Sequence, residues 1–231
     1  SPRAARTGFF PNGVFTTTSA GGDHKFQTEG TLGLPQMLCG IIRASRGRHL
    51  HLGAVSPVLQ AACYAALESA QIPQDRLQFL GDVPSIRATL DAHHAVLFLA
   101  SFPIGGGLTT SEVAAAGVPL ALYDPGPQDP GGRYRSGAGH RPAQALVWTS
   151  PEDLFAFLRR DADDVRLMKM SQDSAAWYNR HLSPDRFARR LAAILRVSEP
   201  SGIRPAKTTG APALFDASWY GATYPDVGES Q

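Results

Sequence analysis

The chain has 231 residues, of which 43% are hydrophobic and 18% charged, with a formal net charge of +2 at pH 7. This apolar content supports a folded core and excludes a disordered chain. The near-neutral charge gives no electrostatic reason to expect nucleic-acid or membrane-surface binding. No apolar run approaches the about 20 residues of a membrane span. The 23 glycines and 18 prolines predict many tight loops.

The first residue is Ser1 rather than methionine, and we expect the chain to be a piece of a longer protein. Its two cysteines, Cys39 and Cys63, lie in apolar, helix-like contexts. Two cysteines are too few for a disulfide framework. They are therefore predicted to be buried free thiols, as expected of a cytoplasmic protein. No Cys/His set has the spacing of a zinc site.

Short apolar strands alternate with helices along most of the chain. Strands are predicted at 13–18, 48–54, 77–80, 95–100, 118–123 and 145–148. Helices are predicted at 35–44, 56–71, 84–93, 109–116, 151–160, 162–181 and 184–197. This alternation predicts a parallel sheet covered on both faces. With right-handed crossovers, the fold class is α/β, a Rossmann-like doubly wound sheet that binds ligands at the carboxyl ends of its strands.

Two segments differ in composition from this alternating pattern. Residues 124–141 are rich in glycine and proline and predict a long loop, a kind that is usually functional or mobile. Residues 198–231 read as a polar linker followed by an aromatic tail at 214–227 that docks on another surface. The sequence therefore predicts one domain over 1–197, including its closing helices, and a linker with a docking tail over 198–231.

The strongest local signal is SFPIGGGLTTSEVAAAGVP at 101–119, where a buried strand runs into a glycine loop and a helix. The residues concerned are the loop glycines Gly105, Gly106 and Gly107 and the hydroxyl residues Thr109, Thr110 and Ser111, with which the helix is predicted to begin. Free N–H groups at a helix start bind anions, most often phosphate. Glu112 is suited instead to a ribose diol. The alternative is a tight turn with capping hydroxyls. The pattern is neither GxGxxG nor a P-loop.

Lys25 follows the first predicted strand in the glycine-rich segment SAGGDHKF. A lysine at this edge of the sheet is suited to neutralising a diphosphate; the alternative is an ordinary solvated lysine. His49 and His51 fall on one face of a strand, and no partner pattern marks either one, or any other histidine, as a general base.

Four segments occur in an order and spacing typical of one family: GVFTTTSAGGDHKF, PQMLCGIIRASRGRHLHLG, RLQFLGDVPSIRATLDAHHAVLFLASFP and GGGLTTSEVAAAGVPLALYD. The run 13–148 that contains them resembles the C-terminal, nucleotide-sugar-binding half of a GT-B glycosyltransferase. The likeness is closest to the bacterial and plant relatives of O-GlcNAc transferase, the SPINDLY-type proteins.

This resemblance implies a nucleotide diphosphate-sugar donor, with UDP as the expected nucleotide, bound as substrate without a cofactor or metal. The hydroxyl residues at the helix start would hold the diphosphate, and Glu112 would bind the ribose. Lys25 would contact the diphosphate and stabilise the leaving group. The backbone of Phe79, Leu80 and Gly81 would meet the base.

Retaining GT-B enzymes often carry the first glutamate of a Glu-x7-Glu motif where this chain has Ile104, which favours an inverting reaction. The resemblance places the protein or glycan acceptor on an N-terminal half that this chain lacks. The catalytic base stays unassigned, and the chain alone is expected to be inactive. Two alternatives remain open, namely a sugar-nucleotide epimerase of GT-B architecture and a non-catalytic nucleotide- or partner-binding module.

Overall fold

The structure is a computed structural model, and it describes residues 14–105, 107–124 and 141–197. Contacts divide the chain into two compact units, Ser1–Ala188 and Arg189–Gln231. The predicted domain boundary after residue 197 stays a prediction. Most of the 124–141 loop and the whole of the linker and aromatic tail lie outside the described residues.

Six strands and seven α-helices are described. The strands are β1 (Thr16–Ala20), β2 (Arg48–Leu52), β3 (Leu77–Gly81), β4 (Leu97–Leu99), β5 (Leu120–Tyr123) and β6 (Leu146–Trp148). The helices are α1 (Leu34–Ser45), α2 (Pro57–Ser69), α3 (Ile86–Ala92), α4 (Gly107–Ala115), α5 (Pro151–Arg160), α6 (Asp164–His181) and α7 (Pro184–Val197). Every predicted strand and helix is present, with ends that shift by a few residues.

The strands form one sheet in the order β3-β2-β1-β4-β5-β6, and every neighbouring pair is parallel. The predicted fold class, a Rossmann-like doubly wound α/β sheet, is confirmed. The chain leaves β1 toward β2 on one side and later returns to β4 on the other. The gap between the carboxyl ends of β1 and β4 is therefore the topological switch point, where such sheets bind their ligands.

Local sequence explains where several helices start. Ser56 caps α2, because its hydroxyl accepts a hydrogen bond from the Leu59 amide at 3.2 Å. Ser150 and Asp153 form a reciprocal capping box at the start of α5. These caps satisfy amide groups that have no carbonyl partner inside the helix.

Two apolar clusters form the core, and alternate side chains of β4 separate them. Leu97 and Leu99 belong to the larger cluster, whereas Phe98 belongs to the smaller one. Successive strand residues point to opposite faces of a sheet, so each face has its own core. On the larger side α1 and α5 approach closely, since a Cβ added at Gly40 would overlap the ring of Phe155. Within the described ranges, no helix is both long and apolar enough to cross a membrane.

Candidate functional site

A cleft of about 840 Å³ lies at the carboxyl ends of the first three strands. One wall is formed by residues 20–24, which end β1 and follow it. The opposite wall is formed by residues 52–56, between β2 and α2. Asp82, Val83 and Ile86 close one side, and Thr109 of α4 completes the lining. The cleft therefore lies at the edge of the sheet where the topology predicts a ligand.

Glycine backbone forms the floor of this cleft. Gly21 and Gly53 line the cleft directly after β1 and β2, with φ angles of +149° and +95°, whereas Gly81, the last residue of β3 with a φ of +66°, lies outside the lining. The Gly21 amide donates to the Leu52 carbonyl at 3.0 Å, and the Gly53 amide donates to the Gly81 carbonyl at 2.7 Å. A Cβ added at Gly53 would lie 3.1 Å from the Gly21 oxygen. The absence of side chains on this floor leaves room for a ligand close to the backbone.

Helix α4 presents its first turn toward the cleft. It begins at Gly107, so the prediction that it starts at Thr109 is wrong by two residues, and Gly107 is helical rather than part of the loop. Thr109 is thus the third helical residue, and amide groups of the first turn lack a helical carbonyl partner. The hydroxyl of Ser101 donates to the Ile104 carbonyl at 2.7 Å, which orders the loop that leads from β4 into the helix.

The structure brings only part of the predicted phosphate site to the cleft. Thr109 lines it, and Thr110 and Ser111 lie further along the helix, half-buried. Glu112 is exposed and does not line the cleft. Gly105 lies in the loop before the helix, and Gly106 lies outside the described residues.

Lys25 closes a short 3-10 helix, Asp23–Lys25, where we expected an irregular loop. It is half-buried, and a Cβ added at Gly21 would lie 3.1 Å from the Lys25 Cγ. The stem of Lys25 therefore packs against Gly21 of the β1 wall. Lys25 is not itself a lining residue.

Asp23 connects the two walls of the cleft. Its Oδ1 accepts a hydrogen bond from the Ser56 amide at 2.8 Å. Hydrogen bonding from Ser56 lowers the pKa of Asp23 below its ordinary value. The carboxylate is therefore ionised at neutral pH and ties the β1 loop to the start of α2. Sequence reasoning missed this residue, because the contact joins positions 33 residues apart.

The predicted base-binding segment, Phe79 to Gly81, lies on β3. The Phe79 ring packs 5.6 Å from the ring of His51 and 5.7 Å from that of Tyr64. Phe79 therefore contributes packing rather than cleft surface. The cleft lining begins one residue after this segment, at Asp82 and Val83.

A buried chain of polar side chains runs beneath the cleft between β1 and β2. Thr17 Oγ1 lies 2.9 Å from His49 Nδ1. Ser19 Oγ lies 2.8 Å from both His49 Nε2 and His51 Nδ1. His51 Nε2 lies 2.9 Å from the carbonyl oxygen of Gly21. The chain thus ends at the β1 wall of the cleft.

Burial dominates the electrostatics of this chain. It lowers the pKa of His49 to about 3, so that imidazole is neutral. Burial also lowers the pKa of His51, opposed by its hydrogen bond to Gly21 and by the charge of Asp23. We placed both histidines on one strand face without assigning them a partner. The signal that could have indicated a partner for these histidines is Ser19, a polar residue at a buried position of β1.

No protein-family model matches the chain, and no curated protein sequence matches it. Solved structures with the same fold are numerous. The chain is similar to an O-GlcNAc transferase of Thermobaculum terrenum, with a TM-score of 0.57 and 19% identity over 82% of this chain and 37% of that one. It is similar to the pneumococcal O-GlcNAc transferase GtfA, whose structure contains UDP and GlcNAc, with a TM-score of 0.59 and 17% identity over 87% and 38%.

In a third solved structure, almost the whole of the solved chain matches this one. It is the C-terminal domain of a group 1 glycosyl transferase, LpcC, from Francisella tularensis, with a TM-score of 0.54 and 11% identity over 76% of this chain and 91% of that one. The fold is thus the one found in GT-B glycosyltransferases, O-GlcNAc transferases among them, which confirms the predicted resemblance. The chain spans less than two fifths of the length of the two O-GlcNAc transferases.

Proposed function

We propose that the chain is the donor-binding part of a glycosyltransferase and binds a nucleotide diphosphate-sugar, with UDP as the nucleotide. The observation that carries this proposal is the position of the cleft. It opens at the carboxyl edge of the sheet beside the switch point, with glycine backbone on its floor and Thr109 of α4 in its lining. The UDP and GlcNAc in the pneumococcal transferase of the same fold support the choice of donor.

Each part of the donor has a candidate partner. The diphosphate lies at the start of α4, where backbone amide groups and the Thr109 hydroxyl donate hydrogen bonds. Glu112 binds the ribose hydroxyls, and the backbone of Phe79, Leu80 and Gly81 lies near the base. Lys25 contacts the diphosphate. Because its half-buried stem packs against Gly21, its ammonium group must extend from there into the cleft.

We propose an inverting reaction that needs neither a metal nor a cofactor. An acceptor oxygen, of a protein or a glycan, forms a bond to the anomeric carbon while the bond from that carbon to the diphosphate breaks. Negative charge then grows on the diphosphate, and Lys25 together with the start of α4 stabilises it. The base that takes the acceptor proton is not assigned to this chain. We also propose a cytoplasmic location, which the two buried free thiols support.

The proposal is tested by isothermal titration with UDP. Wild-type protein should bind one UDP, and Lys25→Ala and Glu112→Ala should each weaken binding about tenfold or more, as expected when a charge-assisted hydrogen bond is lost. The matched controls are Lys169→Ala and Glu68→Ala, exposed residues on α6 and α2, which should leave the affinity unchanged. Absence of UDP binding, or equal binding by all four variants, would contradict the proposal.

A further inference from the structure

The buried chain between β1 and β2 restricts where its protons lie. It consists of Thr17, His49, Ser19 and His51, and it ends at the Gly21 carbonyl. A carbonyl oxygen can only accept a hydrogen bond. His51 Nε2 must therefore carry a proton in every arrangement. The open question is whether His51 Nδ1 carries one as well, since that decides the charge of the ring.

With His51 neutral, the protons point from Thr17 toward the cleft. His51 Nδ1 then accepts from the Ser19 hydroxyl, and Ser19 Oγ accepts from His49 Nε2–H. His49 Nδ1 in turn accepts from the Thr17 hydroxyl. Every contact between the four side chains is satisfied. This arrangement loses the hydrogen bond from Thr17 Oγ1 to the Arg48 carbonyl, at 3.2 Å, because the single hydroxyl proton of Thr17 is donated to His49.

With His51 protonated, every side-chain bond in the chain reverses. His51 Nδ1–H now donates to Ser19, and Ser19 donates to His49 Nε2. His49 Nδ1–H donates to Thr17, whose hydroxyl is then free to donate to the Arg48 carbonyl. His49 stays neutral in both arrangements and only changes tautomer. The cationic arrangement satisfies every polar contact, so the geometry accommodates one added proton on His51 without an unpaired group.

The charges around His51 come from the β1 wall and from its own strand. On the 3-10 helix, the negative charge of Asp23 favours the protonated form of His51. The other two residues of this helix are also titratable: His24 lines the cleft, and Lys25 packs against Gly21. On β2, His49 shares Ser19 with it. The rings of Phe26 and Phe79, at 5.2 and 5.6 Å, enclose the imidazole without adding charge.

We propose that His51 is a positioning residue that takes up one proton when an anionic nucleotide-sugar occupies the cleft. This inference rests on the proposed function. The hydrogen bond from His51 Nε2–H fixes the Gly21 carbonyl and so the β1 wall. A donor diphosphate brings negative charge to the cleft beside that wall, and the charge stabilises the imidazolium. Thr17, Ser19 and His49 reorient to accept the added proton.

The direction of the pH effect follows from this coupling. Burial holds the pKa of His51 below its ordinary value in the free protein, so the ring is neutral at pH 7. A bound diphosphate raises that pKa. Between the two pKa values the complex holds one proton more than the free protein, so donor affinity rises as pH falls. One proton limits the change to about tenfold in affinity per pH unit.

The experiment is isothermal titration of the whole chain with UDP-glucose, which has no phosphate group that titrates near neutral pH. Titrations at pH 5 to 8 in buffers of different ionisation enthalpy count the protons taken up on binding. Wild-type protein should take up a fraction of a proton that approaches one as pH falls toward the window between the two pKa values. His51→Gln, which retains an N–H donor for Gly21, should bind with no uptake. His181→Gln, at the last residue of α6 and outside the cleft lining, is the matched control and should keep both the affinity and the uptake. His24→Gln, at the other histidine of the cleft, should keep the uptake whatever its effect on affinity.

The outcomes distinguish failure of the inference from failure of the proposed function. Binding without proton uptake at any of these pH values overturns the inference and leaves the proposed function standing. Uptake that disappears in His24→Gln instead of His51→Gln also overturns it. Absence of UDP-glucose binding overturns the proposed function itself, and the inference with it.

A second measurement on the wild-type protein does not depend on the folding of a variant. In protein labelled with 15N in its histidines, at the pH where titration shows the greatest proton uptake, the ring nitrogens of His51 should move to the values of an imidazolium when UDP-glucose is added. Those of His49 should move to the values of the other neutral tautomer. A purely structural histidine would give the same ring signals with and without UDP-glucose. That result would overturn the inference.

Discussion

Replacement of Gly53 by alanine tests whether the glycine floor serves the cleft. Gly53 has a φ of +95°, and its added Cβ would lie 3.1–3.3 Å from the oxygen, carbon and nitrogen of Gly21. A side chain at such a φ costs about 1–3 kcal/mol. The close contact adds on the order of 1 kcal/mol unless Gly21 moves by a few tenths of an ångström. That movement displaces the β1 wall, so both stability and donor affinity should fall.

Gly30→Ala is the matched control for this variant. Gly30 also has a positive φ, +82°, but a Cβ there meets nothing within 4 Å, and Gly30 does not line the cleft. Urea denaturation should show a reduced free energy of unfolding in both variants because of the backbone strain. The reduction should be larger in Gly53→Ala because of the added contact with Gly21. Titration with UDP-glucose should show affinity reduced about fivefold in Gly53→Ala alone, because about 1 kcal/mol of contact strain opposes binding. Equal stability losses together with wild-type affinity in Gly53→Ala would refute the reasoning.

Three further predictions concern regions away from the cleft. Ser150→Ala removes the cap of α5 and should lower the free energy of unfolding by about 1 kcal/mol, as measured by urea denaturation, with UDP-glucose affinity unchanged. Hydrogen bonds from Thr149 and Ser150 lower the pKa of Asp153, so its contribution to stability is present at neutral pH and is lost as pH falls through its native pKa. Asp153→Asn should therefore show a shallower loss of stability below about pH 5; an unchanged acid profile would contradict this. Burial raises the pKa of Cys63 to about 12 and also raises that of Cys39, so a thiol reagent at pH 8 should react with both only after unfolding.

The fold could be predicted from sequence because each element carries a local signal. The run 95–100 is continuously apolar, as expected of a strand buried on both faces. Ser56 followed by Pro57 marks the start of α2, since serine caps and proline suits the first turn. With right-handed crossovers, the alternation of such elements restricts the sheet to a few topologies.

The site could be predicted only in outline, because its contacts join distant segments. Sequence indicated the glycine loops after β1 and before α4, and the structure brings Gly21 and Thr109 to one cleft. The sequence predicted that α4 begins at Thr109, whereas the helix begins at Gly107. Asp23 acts through the Ser56 amide, and the role of His51 depends on the register of β1 against β2. Neither relation follows from local sequence.

An amide NMR titration with UDP-glucose tests the central claim most directly. If the cleft binds a nucleotide-sugar, the largest changes in 1H–15N signals should occur at Gly21, at Gly53 and at the first turn of α4, residues 107–109. Those signals should saturate together at one equivalent of ligand. No change in the spectrum, or changes confined to residues outside the cleft, such as Arg43 and Arg76, would contradict donor binding by this chain.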